Sequence, residues 1–179
     1  MDRIDLKIVA LLQDDASLPV AEIAERVGLS ATPCWRRIQR LEESGIIRKR
    51  VALLDGDKLN VGVTVFVAVR TNEHSAEWLE LFARAVSEFP EVVEFYRMSG
   101  DIDYLIRIVV PDIAAYDGFY RRLIAKIKLS DVSSSFAMEE IKYTTALPLE
   151  YADGTRPTVP EPSGRGAVRP NRRAPSRTT

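Results

Sequence analysis

Residues 19–45 read PVAEIAERVGLSATPCWRRIQRLEESG and combine two short helical patterns with a glycine between them. In the first pattern, apolar residues recur at helical spacing up to Gly28, where a helix can end in left-handed geometry. Ser30 then stands where a second helix needs a cap for its free amides, and Pro33 falls within its first turn. Two such short helices need a third helix to complete a core, and residues 4–13 supply that amphipathic pattern.

The second of these helices is predicted to have a basic and polar outward face. At 3.6 residues per turn, Cys34, Ile38 and Leu41 share its inward side. The opposite side carries Thr32, Arg36, Gln39 and Arg40. Arginine binds guanine edges or phosphate, glutamine suits adenine, and threonine contacts either base edges or backbone. The face therefore suits a major groove, although a basic face alone is also typical of a solvated surface helix.

The order of the parts favours DNA binding over a solvated helix. A supporting helix, a glycine turn and a capped basic helix are followed by Gly45, two isoleucines and a basic triplet, as in a winged helix-turn-helix. The triplet would lie on the wing and contact phosphate. The predicted DNA-binding residues are Ser30, Thr32, Arg36, Arg37, Gln39, Arg40, Arg48, Lys49 and Arg50.

The composition is that of an ordinary globular protein. The 179 residues include 25 Lys and Arg against 26 Asp and Glu, so the overall charge says nothing about nucleic acid. The single cysteine, Cys34, excludes an intrachain disulfide, and its inward position favours packing over a reactive or sensing thiol. No signal peptide or membrane-length apolar run is visible, so we expect a cytoplasmic protein with no membrane partner, no metal and no cofactor.

A second domain is predicted from residue 61, where a β-branched run suits a buried strand. A helical pattern, two strand-like runs around residues 99–103, a second helix capped by Asp112 and a last strand over residues 133–143 give the order βαββαβ. We therefore predict an α+β protein with a winged helix-turn-helix in residues 1–60 and a ferredoxin-like domain in residues 61–151. Residues 152–179, rich in Pro, Gly, Ser and Arg, are predicted to be a disordered tail.

A ferredoxin-like sheet carries both helices on one face, so its other face needs a cover. Dimerisation is the simplest way to provide it, and we predict an obligate homodimer. A twofold pair of reading helices would then address two half-sites on double-stranded DNA about 34 Å apart, or a multiple of that distance.

Motifs in three regions of the chain carry a resemblance to a known family. They are LSATPC at residues 29–34, SGDIDY at 99–104, and SSF at 134–136 with TTALP at 144–148. With these motifs the chain resembles the Lrp/AsnC, or feast/famine, transcription regulators over residues 1–150. The stretches HSAEW, FYRMSGDIDYLIRI and SSFAMEEIKYTT look most like the cysteine-responsive regulators of the DecR type.

The resemblance implies an effector-binding and oligomerisation domain after the DNA-binding domain. It implies dimers that assemble further, often to octamers, and a small amino-acid effector held near the Gly-Asp hairpin, with cysteine the candidate of the DecR type. Carried over residue by residue, the effector-binding residues are Met98, Ser99, Gly100, Asp101, Asp103, Tyr104, Ser133, Ser134 and Ser135. Without the resemblance, the same glycine and aspartates are equally typical of an ordinary hairpin turn.

Two other functions compete with a sequence-specific regulator. A nucleoid-organising protein would wrap DNA with little sequence preference and depend on the basic triplet and the tail arginines. An enzyme with a ferredoxin-like domain is the remote alternative. His74, the single histidine, lies in a predicted loop, and Asp101 and Asp103 alternate along a strand instead of forming an acid–base pair.

Overall fold

The computed structural model describes residues 1–152 and divides them into two compact units. One unit holds residues 1–50 together with residues 145–152, and the other holds residues 51–144. The boundary predicted near residue 60 lies about ten residues later than the one in the structure, which groups residues 51–60 with the second unit. The predicted tail lies, from residue 153 on, outside the described residues.

The first unit contains three helices around one small core. They are α1 (Arg3–Asp14), α2 (Val20–Val27) and α3 (Ala31–Glu43). Their buried residues follow the predicted stripes and include Ile8, Ile23 and Ile38. Asp2 caps α1 and forms a reciprocal capping box with Asp5. Residues from the end of the chain belong here because both polar atoms of the Gln13 amide hydrogen-bond the backbone of Leu147.

The glycines that follow α2 and α3 adopt the left-handed conformation with which glycine ends a helix. Gly28 has φ of 75° and Gly45 has φ of 74°, in the left-handed region that side chains disfavour. Ser30 is the N-cap residue of α3, as predicted, but its side chain makes no capping hydrogen bond. Among the described residues there is no strand between Glu43 and Val63, so the basic triplet lies in an irregular segment of the wing.

The second unit is a ferredoxin-like sandwich, which confirms the predicted α+β fold. Its elements are β1 (Val63–Arg70), α4 (Ala76–Ser87), β2 (Val92–Arg97), β3 (Tyr104–Val110), α5 (Ile113–Lys126) and β4 (Asp131–Phe136). The four strands form one antiparallel sheet in the order β2-β3-β1-β4. Asp112 caps α5 by accepting a hydrogen bond from the Ala115 amide at 2.7 Å, as predicted.

The two faces of this sheet have different environments. On β1, Val65, Val67 and Val69 are fully buried and pack with residues of α4 and α5. Phe66 alternates with them, is exposed, and pairs with Arg107 across the neighbouring strand. In one chain the sheet thus has a covered face and an open face, as period-2 alternation requires.

Two details of the second domain were predicted wrongly. The last strand ends at Phe136 instead of residue 143, because β1 begins at Val63 and leaves residues 139–143 without a strand to pair with. Just past the strand, the Ala137 amide still donates to the Thr64 carbonyl. Helical spacing with Tyr116 also predicts Ile113 and Ile124 on the inward face of α5, but both are exposed. The buried residues Tyr116, Phe119 and Leu123 define a narrower stripe that excludes both isoleucines.

Within residues 1–152, no helix has both the length and the apolar character to cross a bilayer.

Candidate functional site

The outward face of α3 is open to a ligand. Thr32, Arg36 and Arg40 are exposed, while Cys34 and Ile38 on the opposite side belong to the core. In the part of the chain that the structure describes, no acidic side chain forms an ion pair with Arg36. Arg40 lies 3.4 Å from a carboxylate oxygen of Asp5 and is otherwise solvated. These side chains are free to reach base edges or phosphate.

Arg37 is oriented differently from the other predicted DNA contacts. Its Nη1 atom lies 2.7 Å from Oδ1 of Asp5 and 2.6 Å from Oδ2 of Asp2, so its guanidinium points at the start of α1. Asp5 is only 5% exposed. The structure thus gives Arg37 a role in fixing α3 on α1, and a contact between Arg37 and DNA stays a prediction.

Gln39 and Arg50, predicted as a base reader and a phosphate contact, are joined through one carboxylate. The Gln39 amide donates to Glu42 at 3.0 Å, and Arg50 lies 2.8 Å from the other oxygen of Glu42. This chain of contacts holds the basic triplet beside α3. Ser30, Arg48 and Lys49 are exposed, and neither cation forms an ion pair within residues 1–152.

The sequence analysis missed one residue on the reading helix. Trp35 is half-exposed although it is one of the largest side chains in the protein. It was passed over because it belongs neither to the inward stripe nor to the set of cationic and amide side chains. The signal that would have found it is its spacing, three residues after Thr32 and four before Gln39.

The second unit contains a cavity of about 220 Å³ beside the predicted effector hairpin. Its lining includes Met98, Asp103 and Tyr104 from the predicted set, together with His74, Ser75, Ala76, Leu79 and Arg97. Ser99, Gly100 and Asp101 form the tip of the hairpin but do not line the cavity. Tyr104 is mostly buried, with its ring 5.1 Å from that of Phe82, so it forms a wall of the cavity more than a polar ligand contact.

Backbone and side-chain hydrogen bonds hold the hairpin in place. Nε of Arg70 donates to the carbonyl of Asp101 at 2.6 Å, and the Thr71 amide donates to Oδ2 of Asp103 at 2.8 Å. Gly100 has φ of 115°, which a residue with a side chain would adopt only with strain. The hairpin is therefore fixed against the end of β1, with the carboxylate of Asp103 at the cavity wall.

The three serines of β4 do not converge on this hairpin within one chain. Ser133 pairs with Ala68 and Ser135 with Phe66, which places both on the open face of the sheet. Ser134 lies on the opposite face, where its hydroxyl hydrogen-bonds that of Tyr116. The predicted juxtaposition of serines and hairpin is thus absent from the single chain. Sequence pattern could not reveal this, because β1 lies between β4 and the hairpin strands.

The cavity brings a cation and an anion to the same small space. Arg97 lines it, and within residues 1–152 no acidic side chain forms an ion pair with Arg97. Asp103 supplies the carboxylate, and Leu79 and Met98 add apolar surface. Among the described residues, no group of three or more His, Cys, Asp or Glu side chains is arranged to hold a metal ion. The arrangement suits a small zwitterion with an apolar side chain.

Cys34 lies in the core of the first unit with no exposed surface. Burial raises the pKa of its thiol, although the nearby Arg37 acts in the opposite direction. A buried, protonated thiol is a poor nucleophile, which agrees with the packing role predicted from the sequence.

Comparison with known protein families divides the chain in the same way. Residues 1–48 match a winged helix-turn-helix DNA-binding domain, and residues 64–147 match the Lrp/AsnC ligand binding domain. The first match covers α3, and the second covers the residues that line the cavity.

Individual relatives match along nearly their whole length. The DNA-binding transcriptional activator DecR of Escherichia coli is 52% identical over 151 residues, which cover 84% of this chain and 99% of DecR. A crystal structure of an AsnC family transcriptional regulator from Agrobacterium tumefaciens is 69% identical, with a TM-score of 0.82, and the match covers 84% of this chain and 99% of that one. A transcriptional regulator from Neisseria meningitidis, crystallised with L-methionine, is 37% identical with a TM-score of 0.81, covering 85% and 99%.

Proposed function

This chain belongs to the Lrp/AsnC family of DNA-binding transcription regulators, and from that premise we propose that an amino acid bound in the cavity beside the β2–β3 hairpin controls operator binding. The family consists of regulators that respond to amino acids, and the chain is not an enzyme. Particular residues are proposed below to contact the DNA and the effector.

For the DNA, we assign base reading to Thr32, Arg36 and Gln39, with Arg40 at the margin of the same face. The exposure of this face and the unpaired guanidinium of Arg36 support the assignment. Ser30, Arg48, Lys49 and Arg50 are assigned to phosphate, where they position the protein and make binding depend on salt. A transcription regulator acts where the chromosome lies, so we assign the protein to the cytoplasm.

For the effector, the single observation that carries the proposal is the opposed pair of charges in the cavity. A free amino acid carries a carboxylate that Arg97 would bind and an ammonium that Asp103 would bind. Leu79, Met98 and Tyr104 would contact its side chain. Cysteine, the effector suggested by the likeness to DecR, is small and largely apolar and is compatible with such walls.

We further propose that the chain is a homodimer that assembles to higher oligomers, up to an octamer. The open face of the sheet supports this, because Phe66 and Tyr96 are exposed there. A second copy covering that face would also bring Ser133 and Ser135 to the interface between chains. Sedimentation that shows a stable, well-folded monomer at micromolar concentration would contradict the dimer.

The proposed mechanism is ligand-linked assembly. An effector that binds one arrangement of dimers better than another shifts the population toward it, and thereby changes how paired reading helices meet operator half-sites. The direction of the change, activation or repression, depends on the promoter.

The test is a DNA-binding titration on the promoter beside the protein's own gene, at fixed salt, with each amino acid in turn. A shift with cysteine supports the whole proposal. A shift with a different amino acid keeps the effector site and rejects cysteine. Tight binding that ignores every amino acid, with equal affinity for unrelated DNA, would reject the regulated function in favour of DNA wrapping.

A further inference from the structure

Trp35 is an unexplained aromatic side chain on α3. It is 51% exposed, and it is absent from the cluster of apolar residues that stabilises the first unit. The aromatic and cation–π pairs of the described residues all lie in the second unit, so no ring or cation stacks on this indole. The three-helix core is complete without it, and the fold alone gives no reason for a tryptophan here.

The position of Trp35 on the helix places it at the edge of the reading face. At 100° per residue, it lies 60° from Thr32 and 40° from Gln39, on the side away from Arg40. The nearest cation along the helix is Arg36, whose guanidinium has no acidic partner within residues 1–152. An apolar ring next to a glutamine and a threonine is a surface that matches a base edge and its sugar better than it matches water.

The chemistry of the indole limits what it would contact. Its apolar face suits the C5-methyl group of thymine, which only A·T pairs present in the major groove, while a phosphate contact would need only the ring N–H. Because it carries no charge, such a contact adds sequence information without adding to counterion release.

We propose that Trp35 is a specificity-determining residue, packing its indole against a thymine methyl group at the edge of each operator half-site. The proposal rests on the assignment of α3 as the reading helix. It adds to that assignment an apolar contact that recognises thymine, next to the charged and amide contacts of Arg36 and Gln39.

The first test replaces Trp35 by alanine in the full chain. A duplex selected from a randomised library by the wild-type protein serves as the probe, and each half-site position is then varied. Trp35→Ala should lose about tenfold in affinity for the selected duplex, should lose the preference for thymine at one position per half-site, and should leave the salt dependence unchanged. Trp35→Phe should keep part of the preference.

Two control variants separate the proposed thymine contact of Trp35 from the assignment of α3 as the reading helix. Leu81→Ala removes a side chain of matched exposure, 52%, from α4 in the other unit and should change nothing. Arg36→Ala tests the reading helix itself. If Arg36→Ala relaxes sequence preference while Trp35→Ala does not, the Trp35 proposal is overturned and the reading helix stands. If neither variant changes preference, both are overturned.

A second measurement keeps the wild-type residue in place. The chain has two tryptophans, so Trp78→Phe leaves Trp35 as the sole indole. Its fluorescence should be protected from acrylamide by the selected duplex, and less protected by a duplex in which the half-site thymines are replaced by uracil, which lacks the methyl group. Equal quenching with and without either duplex would overturn the proposal, and so would equal protection by both.

Discussion

Arg37 on α3 reaches Asp5 in the first turn of α1, with 2.7 Å between Nη1 and Oδ1. The same Nη1 lies 2.6 Å from Asp2, the residue that caps α1. Because the carboxylate of Asp5 is almost fully buried, the guanidinium is its main counter-charge. The orientation of the reading helix is thus tied by charge to the helix that supports it.

We expect Arg37→Ala to destabilise the DNA-binding unit by about 2–3 kcal/mol, because a buried carboxylate loses its charged partner. Urea unfolding followed by Trp35 fluorescence in a Trp78→Phe background measures this unit. Arg36→Ala, one residue along on the exposed face, should stay within about 0.5 kcal/mol of wild type. Equal stability of the two variants would show that the ion pair contributes nothing.

The same cluster predicts how stability depends on acid. The pKa of Asp2 is lowered to about 2, first by the hydrogen bond from the Asp5 amide and then by Arg37. For Asp5, burial raises the pKa, but the Asp2 amide and Arg37 together outweigh it, and the net shift is downward. Groups with a depressed folded-state pKa stabilise the fold above the unfolded pKa and lose that effect as pH falls.

Stability of the DNA-binding unit should therefore be constant near neutrality and fall as pH drops from about 4 toward 2. Asp2→Asn removes one of the two titrating carboxylates and should flatten this fall, which thermal unfolding at a series of pH values measures. A slope for Asp2→Asn as steep as that of wild type would assign the acid sensitivity to other carboxylates.

Contacts to bases and contacts to phosphate should change the salt dependence of DNA binding differently. We expect Arg36→Ala to cost about 1–3 kcal/mol on the selected duplex and to relax preference at one base position. Lys49→Ala should weaken binding to all sequences similarly and reduce the salt slope by about one unit. Electrophoretic or anisotropy titrations at several salt concentrations distinguish them, and identical behaviour of the two variants would mean that Arg36 contacts only phosphate.

Each charge in the effector cavity can be removed by a substitution that keeps most of the side-chain shape. Asp103→Asn keeps an oxygen to accept the Thr71 amide but removes the charge that would bind an ammonium. We expect it to weaken amino-acid binding about ten- to a hundredfold, the value of one charged hydrogen bond, and Arg97→Met to do the same. Calorimetric titration with cysteine and methionine measures both.

The matched control is Asp101→Asn at the tip of the same hairpin, whose carboxylate does not line the cavity. It should bind the amino acid as wild type does. Loss of binding in Asp101→Asn with retention in Asp103→Asn would place the effector outside the cavity, at the hairpin tip.

Cys34→Ser should leave the response to amino acids intact, because the thiol is buried and protonated. It should lower the free energy of unfolding by about 1–3 kcal/mol, since the hydroxyl would be buried in an apolar core with no partner. Cys34→Ala provides the comparison without a buried hydroxyl. A lost response at unchanged DNA affinity would reassign the cysteine as a sensor.

Much of the fold could be predicted because local rules apply to it. The glycine that ends α2, the strand β3 and the cap of α5 all follow from backbone preference or periodicity in neighbouring residues. The extent of β4 did not follow, because a strand can continue only as far as its partner does, and β1 begins at Val63. The single chain does not bring the serines of β4 to the hairpin for a related reason, since the order of strands in a sheet is not encoded locally. Their part in an effector site between dimers stays a prediction.

The functional residues divide in the same way, into features that local sequence predicts and features that only the tertiary structure decides. Periodicity alone determined which face of α3 is buried and which residue types face outward, because burial repeats with the helical turn. Only the tertiary structure decided that Arg37 is held by Asp5, that Arg97 and Asp103 share a cavity, and that Trp35 is left without a partner. Arg37 and Asp5 are 32 residues apart, and the cavity joins the β2–β3 hairpin to residues 74–79. Both therefore depend on packing whose geometry no short stretch of sequence contains.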